Sequence, residues 1–281
     1  MVGVRALVGR RPVAAFVVLV LALSWPTLPI SQRWPIAAVP LAVLGPGGCA
    51  ILVTWLADGR AGVRELVGRL LRWRVPLRWY LFAVFGMAVG YWSVAYLVTA
   101  VFFPAALVPP PLGQLLLVPV NLAVLVVLLG LVEELGWRGF LLPRLSAQLT
   151  PLRAALLVGL VWWAWHLPVR VRLDQPDGAA YAALFLVGVM ADAVILAWLF
   201  HRTGGSVLLV ALFHAATNTW GATQGLYGQT FSASPAGYLP FEVIRMGTYV
   251  VVAAVVIVLT RGRLGTAEHR STRRTGSAEL A

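Results

Sequence analysis

The stretch from Gln114 to Phe140 reads QLLLVPVNLAVLVVLLGLVEELGWRGF. Its first part, residues 114–132, contains no charged side chain, and about 20 apolar residues in a helix are enough to cross the hydrocarbon of a bilayer. Its second part follows at once with Glu133, Glu134 and Arg138. Ionisable groups are costly inside a membrane and usually mark a functional site. The stretch therefore predicts a membrane-spanning helix that carries such a site.

The rest of the chain has the same apolar character. Hydrophobic residues make up 60% of the 281 residues, charged residues 11%, and the mean hydropathy is +0.86, whereas roughly 25% of a soluble domain is charged. We therefore expect an all-α, polytopic transmembrane bundle of about eight spans. The predicted spans lie at about 13–31, 35–57, 79–103, 114–132, 151–169, 179–200, 205–225 and 241–260. A signal peptide is the alternative for the first of them, but that run is long enough to remain as an anchor.

The arginines predict the orientation of the bundle. The chain has 22 basic residues, all of them Arg, and a formal net charge of +12. Three clusters hold most of them: Arg5, Arg10 and Arg11; Arg60, Arg64, Arg69, Arg72, Arg74 and Arg78; and Arg261, Arg263, Arg270, Arg273 and Arg274. Because positive loops stay in the cytoplasm, both termini are predicted to be cytoplasmic. The arginines are more simply contacts for anionic lipids than for nucleic acid, and we expect no nucleic-acid partner.

The chain divides into four predicted segments. Residues 1–112 hold the N-terminal spans, 113–225 the intramembrane polar residues, 226–264 the last span, and 265–281 a polar, disordered tail. In the Arg-rich loop at 58–78, apolar residues recur at helical spacing and predict an amphipathic helix on the inner surface of the membrane. These residues are Val63, Leu66, Val67, Leu70 and Leu71. The single cysteine, Cys49, excludes an intrachain disulfide.

The two adjacent carboxylates are predicted to differ. Glu134 and Arg138 are one helical turn apart, so they can pair and leave Glu133 on another face as a base. The alternative is a helix end with solvated charges. An apolar run that continues up to Glu133 favours the first interpretation.

Three further polar residues lie on predicted spans. His166 ends the aromatic run Val161-Trp-Trp-Ala-Trp and could simply be hydrogen-bonded at the membrane interface. His214 and Asn218 share one helix face, and a polar packing pair is the alternative there. Asp192 has no role that the sequence assigns.

Together these residues supply the groups that hydrolysis needs. A carboxylate and an imidazole can bind and deprotonate a water molecule, and a second imidazole and an amide can donate hydrogen bonds to an oxyanion. One glutamate and two histidines could also bind zinc and leave a position open for water. The HExxH pattern of metalloproteases is absent, so the spacing gives no separate support for a metal.

Three motifs in order resemble the CAAX protease and bacteriocin-processing family, which includes the type II CAAX prenyl endopeptidases. They are Glu133-Glu134-x-x-x-Arg138, an aromatic residue four before His166, and His214-x-x-x-Asn218, and the resemblance covers about residues 115–222. Trp162 stands where family members usually have Phe.

The resemblance implies an intramembrane endopeptidase that cleaves a membrane-embedded or lipid-modified protein or peptide. It implies that Glu133 and His166 activate the water, that His214 and Asn218 hold the oxyanion, and that Glu134 and Arg138 support the geometry. It also implies a mechanism that depends either on a metal, with zinc on Glu133, His166 and His214, or on the glutamate without a cofactor. The all-Arg usage, typical of GC-rich bacterial genomes, predicts a bacterial cytoplasmic membrane.

Two other functions use the same residues. A transporter could employ them as an ion relay, and a catalytically silent family member could act as an immunity or scaffold protein. The hydrolytic interpretation carries a geometric condition of its own. Hydropathy alone places Glu133 and His166 at opposite ends of neighbouring spans. For the two side chains to meet, the fourth helix must continue through Phe140 and the fifth must start deeper or kink.

Overall fold

The computed structural model describes residues 2–33, 45–102, 112–170, 178–223 and 238–266. All of its elements are helical, as predicted. The beginning of the predicted span at 35–57 and nearly all of the predicted tail at 265–281 lie outside the described residues.

The helices are numbered in chain order. Their bounds are α1 (Val2–Arg10), α2 (Pro12–Arg33), α3 (Pro46–Gly68), a 3₁₀ turn (Arg69–Leu71), α4 (Leu77–Leu81), the π-helix π1 (Phe82–Gly86), α5 (Met87–Phe102), α6 (Leu112–Leu129), the π-helix π2 (Gly130–Leu141), α7 (Leu142–Ser146), α8 (Pro151–Arg170), α9 (Gly178–Arg202), α10 (Val207–Thr223) and α11 (Tyr238–Thr260).

Two described helices are long and apolar enough to cross a bilayer, namely α9 and the part of α11 from Val243 to Thr260. The bent pair Leu116–Leu129 and Val132–Ser146 makes a third if it is one span. Shorter apolar helices overlap three more of the predicted spans, at Pro12–Thr27, Leu77–Tyr91 and Val207–Thr219. The number of eight spans and the cytoplasmic position of both termini stay predictions.

The helix that begins at Leu112 does continue past Phe140, which meets the first part of the geometric condition set by the sequence. α8 begins at Pro151, where the fifth span was predicted to begin, so it does not start deeper. The helix from Leu112 bends by 47° where α6 passes into π2, and π2 runs for 12 residues before α7. At the end of π2 the N–H of Leu142 donates to the carbonyl of Trp137, five residues back. Such i→i+5 turns are rare and are frequently found at functional sites, and they account for the bend.

Glycines allow neighbouring helices to approach π2 closely. A Cβ on Gly136 would lie 2.6 Å from the carbonyl oxygen of Pro46 at the start of α3. A Cβ on Gly130 would lie 3.1 Å from the Cβ of Ala211 in α10. Because neither glycine has a Cβ, π2 can pack closely between α3 and α10. This packing fixes where the polar residues of π2 point.

The Arg-rich segment follows a break in α3. Gly59 has a φ of +69°, a conformation that glycine adopts at little cost, and it divides the buried first part of α3 from a surface part. After it, Leu66 is buried while Arg64 and Glu65 are exposed. Leu71 lies in the 3₁₀ turn with 73% of its surface exposed, and the amphipathic helix on the membrane surface stays a prediction.

This segment is hydrogen-bonded to the helices that carry the polar residues. Arg69 Nη1 donates to the carbonyl of Gly139 in π2 at 2.7 Å. Arg72 Nη1 donates to the carbonyl of Gly204, and Ser206 Oγ donates to the carbonyl of Arg72, both at 2.7 Å and both just before α10. The surface segment thus holds one end of π2 and the start of α10 together.

Candidate active site

The carboxylate of Glu133 is nearly enclosed, with 7% of the residue exposed. Trp162 of α8 donates its Nε1–H to Oε2 of Glu133 at 2.9 Å. Among the described residues this is the one protein group that hydrogen-bonds the carboxylate. Since a carboxylate oxygen accepts more than one hydrogen bond, Oε1 keeps its full capacity for a water molecule or a ligand.

Glu134 and Arg138 form the predicted pair, and both are fully buried. Arg138 Nη1 donates to Oε1 at 2.8 Å and to Oε2 at 3.0 Å. The sequence did not indicate a third partner: His214 Nδ1 lies 2.8 Å from Oε1 of the same carboxylate. Glu134 therefore joins π2 to α10 through a buried network.

The hydrogen bonds fix which nitrogen of each imidazole faces a ligand. His166 Nδ1 lies 2.9 Å from the carbonyl oxygen of Trp162, and a carbonyl only accepts, so Nδ1 carries the hydrogen. His214 Nδ1 likewise donates to the Glu134 carboxylate, which also accepts two hydrogen bonds from Arg138. In both rings Nε2 is left for chemistry, which is the usual consequence of anchoring an imidazole through Nδ1.

Trp162 contacts Arg138 and both imidazoles as well as Glu133. Its ring lies 5.2 Å from the ring of His214 and 5.7 Å from that of His166, centroid to centroid. The Arg138 guanidinium carbon lies 4.4 Å from the centroid of the Trp162 ring, within the range of a cation–π contact. One side chain of α8 thus touches the carboxylate side and the imidazole side of the site together.

One cavity of about 130 Å³ brings the predicted catalytic residues together. Glu133, His166, His214 and Asn218 all line it, whereas Glu134 and Arg138 do not. The exposed Asn218 side chain makes no hydrogen bond to the described part of the chain, so its amide is available to a ligand. Several water molecules, or the reacting part of a chain, could occupy this volume.

The cavity also has a wall that the motifs did not indicate. Asp192 of α9 lines it, and its Oδ1 is buried without a hydrogen-bond partner in the described ranges. Arg170, Arg245 and Tyr249 line it as well. An aspartate within a long apolar helix was the one available signal for this wall.

The described residues do not form a ready metal site. No group of three or more His, Cys, Asp or Glu side chains among them is placed to hold one metal ion. Glu133 Oε2 and both Nδ1 atoms make protein hydrogen bonds, while Oε1 and both Nε2 atoms stay open. Imidazoles that bind a metal are commonly anchored in this way, so these bonds decide neither for nor against zinc on Glu133, His166 and His214. Zinc dependence stays a prediction that metal analysis can test.

Comparison with known proteins identifies the same segment. Residues 114–220 match the model of a family described as type II CAAX prenyl endopeptidase Rce1-like. A protein of Methanococcus maripaludis named CAAX prenyl protease 2 is 25% identical over 140 residues, which cover 48% of this chain and 48% of that protein. The matched part spans about half of that relative. All four cavity-lining residues predicted to be catalytic lie inside the family match.

Proposed function

We propose that the chain is an intramembrane endopeptidase, because residues 114–220 match the family of type II CAAX prenyl endopeptidases that the motifs indicated. Its substrate is a membrane-embedded or lipid-modified protein or peptide. The observation that supports this most directly is the convergence of Glu133, His166, His214 and Asn218 on one cavity.

The cavity residues have two different roles in the proposed reaction. Glu133 Oε1 and His166 Nε2 hold a water molecule and take its proton as the oxygen bonds to the carbonyl carbon of the scissile peptide. The oxyanion that forms accepts hydrogen bonds from the Asn218 amide and from Nε2–H of protonated His214. When the C–N bond breaks, the proton taken from the water passes to the leaving nitrogen, and a carboxylic acid and an amine are released.

The buried network prepares His214 for its part. The Glu134 carboxylate stabilises positive charge on the ring whose Nδ1 it binds at 2.8 Å. Arg138 in turn holds Glu134 with two hydrogen bonds. Glu134 and Arg138 therefore act through His214 and do not touch the substrate.

The test is peptide hydrolysis by purified protein in detergent. Wild type, Glu133→Gln and Glu133→Ala are incubated with a panel of prenylated and unmodified membrane peptides. We expect both variants to lose about 10²–10⁴-fold in kcat while their thermal midpoints stay near that of the wild type. Glu65→Gln is the matched control, since Glu65 is an exposed glutamate outside the cavity. Cleavage that survives Glu133→Ala would overturn the proposed mechanism.

The same assay examines the metal question. Hydrolysis is measured after dialysis against a chelator, together with metal analysis of the purified protein. A mechanism that uses protein groups alone predicts unchanged turnover, whereas stoichiometric zinc with loss of activity on its removal would replace it.

A further inference from the structure

Trp162 departs from the family pattern in a way that bears on the catalytic carboxylate. The usual phenylalanine at this position offers only a ring, whereas tryptophan adds one N–H donor. In this chain that donor is directed at Oε2 of Glu133, at 2.9 Å, and the bond is buried. A phenylalanine would keep much of the aromatic surface and leave this oxygen without a protein donor among the described residues.

The remaining contacts of Trp162 hold its indole in place. The Arg138 guanidinium covers one face at 4.4 Å, and the edge of the His214 ring approaches at an interplanar angle of 79°. The residue is buried, with 3% of its surface exposed. An aromatic ring enclosed in this way has few alternative rotamers, so its N–H is a fixed reference for the carboxylate.

The main chain of the same residue orients a second group. The carbonyl oxygen of Trp162 accepts the Nδ1–H of His166 at 2.9 Å. The side chain of Trp162 therefore positions Glu133 while its backbone positions His166. These are the two groups to which the proposed function assigns the water.

We infer that Trp162 is a positioning residue whose indole N–H holds the Glu133 carboxylate so that Oε1 faces the water-binding side of the cavity. The role rests on the proposed hydrolysis, but the hydrogen bond itself can be tested without it. A hydrogen bond from a rigid donor to Oε2 restricts rotation of the carboxylate and so fixes the position of Oε1. Turnover falls steeply when a catalytic group is displaced.

The kinetic test compares two tryptophans of α8, of which only Trp162 donates its indole N–H to a described acceptor. Trp162→Phe removes the donor, and we expect kcat to fall about 10- to 100-fold, the scale of a hydrogen bond to a charged group, with KM changed less than about twofold. Trp163→Phe is the matched control, because the Trp163 Nε1 is buried and has no acceptor among the described residues. It should leave both constants within about twofold of wild type.

A second variant separates the bond from the shape of the ring. Benzothienylalanine at position 162 keeps the size of the indole and replaces its N–H by sulfur. We expect it to reproduce the kcat loss of Trp162→Phe. Wild-type kcat in the benzothienylalanine protein would overturn the inference, since only the N–H has then been removed.

A spectroscopic test decides the bond even if no substrate is found. In protein labelled with ¹⁵N-tryptophan, the indole resonance that is absent from Trp162→Phe belongs to residue 162. We expect it to move upfield in Glu133→Ala, which removes the acceptor, by more than any other indole resonance. A residue-162 resonance that keeps its position in Glu133→Ala overturns the inference, whereas an inactive wild type with a shifted resonance counts against the proposed function alone.

Discussion

Glu133 and Glu134 are neighbours in π2 and have identical side chains, but their surroundings differ. Glu133 faces the cavity, has one protein donor and keeps one carboxylate oxygen open. Glu134, its neighbour in the chain, is completely buried and binds Arg138 and His214. The difference comes from the partner helices, since α8 supplies a single N–H to one carboxylate and α10 supplies an imidazole to the other.

The comparison distinguishes a carboxylate that can react, Glu133, from one that stabilises the fold, Glu134. A buried ion pair holds its shape because breaking it would leave a charge in an apolar interior. A carboxylate with an unpaired oxygen beside a cavity can exchange water and protons. We therefore expect substitutions of Glu134 or Arg138 mainly to lower stability, and substitutions of the cavity residues Glu133 or Asn218 mainly to lower turnover.

The largest effect is expected from Glu134→Leu. It leaves the fully buried Arg138 without a counterion, which typically costs about 3–5 kcal/mol, so the thermal midpoint in detergent should drop by many degrees. The double variant Glu134→Leu/Arg138→Met removes the orphaned charge too and should recover part of the loss. His214 lacks its acceptor in both proteins, so their difference reports on Arg138. A double variant less stable than Glu134→Leu would contradict the distinction between the two glutamates.

An intermediate effect, confined to turnover, is expected from Asn218→Ala. The Asn218 side chain is exposed to the cavity and supports no described contact, so the thermal midpoint should stay near that of wild type. Loss of one oxyanion donor lowers kcat by about 10²–10³-fold. Peptide hydrolysis and thermal unfolding of the same preparation check both statements. A thermal midpoint that falls as far as in Glu134→Leu would show that Asn218 also stabilises the fold.

The smallest effect is expected from Glu65→Gln, at a pair with the same residue types and spacing as Glu134 and Arg138. The Glu65 side chain is 67% exposed, and Arg69 Nη2 donates to it at 2.9 Å. Surface pairs of this kind contribute about 0–1 kcal/mol. The hydrogen bond from Arg69 and then its charge lower the pKa of Glu65, so the contribution is present at neutral pH and is lost as the pH falls through that lowered pKa.

Thermal midpoints measured against pH check this sign. Wild type should exceed Glu65→Gln slightly at pH 7, and the two should converge in acid below the ordinary carboxyl pKa of about 4.3. A difference in thermal midpoint that grows as the pH falls would mean that the Glu65–Arg69 pair does not stabilise the wild type.

Much of the fold and part of the site follow from patterns along the chain. The apolar runs predicted helices, and the four-residue spacing predicted the Glu134–Arg138 pair, because both depend on the periodicity of a single helix. The spacing also placed His214 and Asn218 on one face.

Contacts between helices could not be obtained in this way. A period shows which residues share a face, but the neighbour that covers the face depends on how the helices pack. The hydrogen bond from Trp162 to Glu133 joins residues 29 positions apart, and the bond from His214 to Glu134 joins residues 80 positions apart. The same holds for Asp192, which the sequence left without a role and the fold places on the cavity wall.

The sequence by itself thus determined an all-helical, membrane-type chain, its ordered motifs and the residues capable of chemistry. Only the tertiary structure decided that π2 continues past Phe140, that Gly136 lets it pack against Pro46, and that Trp162 and His214 are the partners of Glu133 and Glu134. The physical reason is that side-chain chemistry is local, whereas burial and partnership depend on close packing between distant segments.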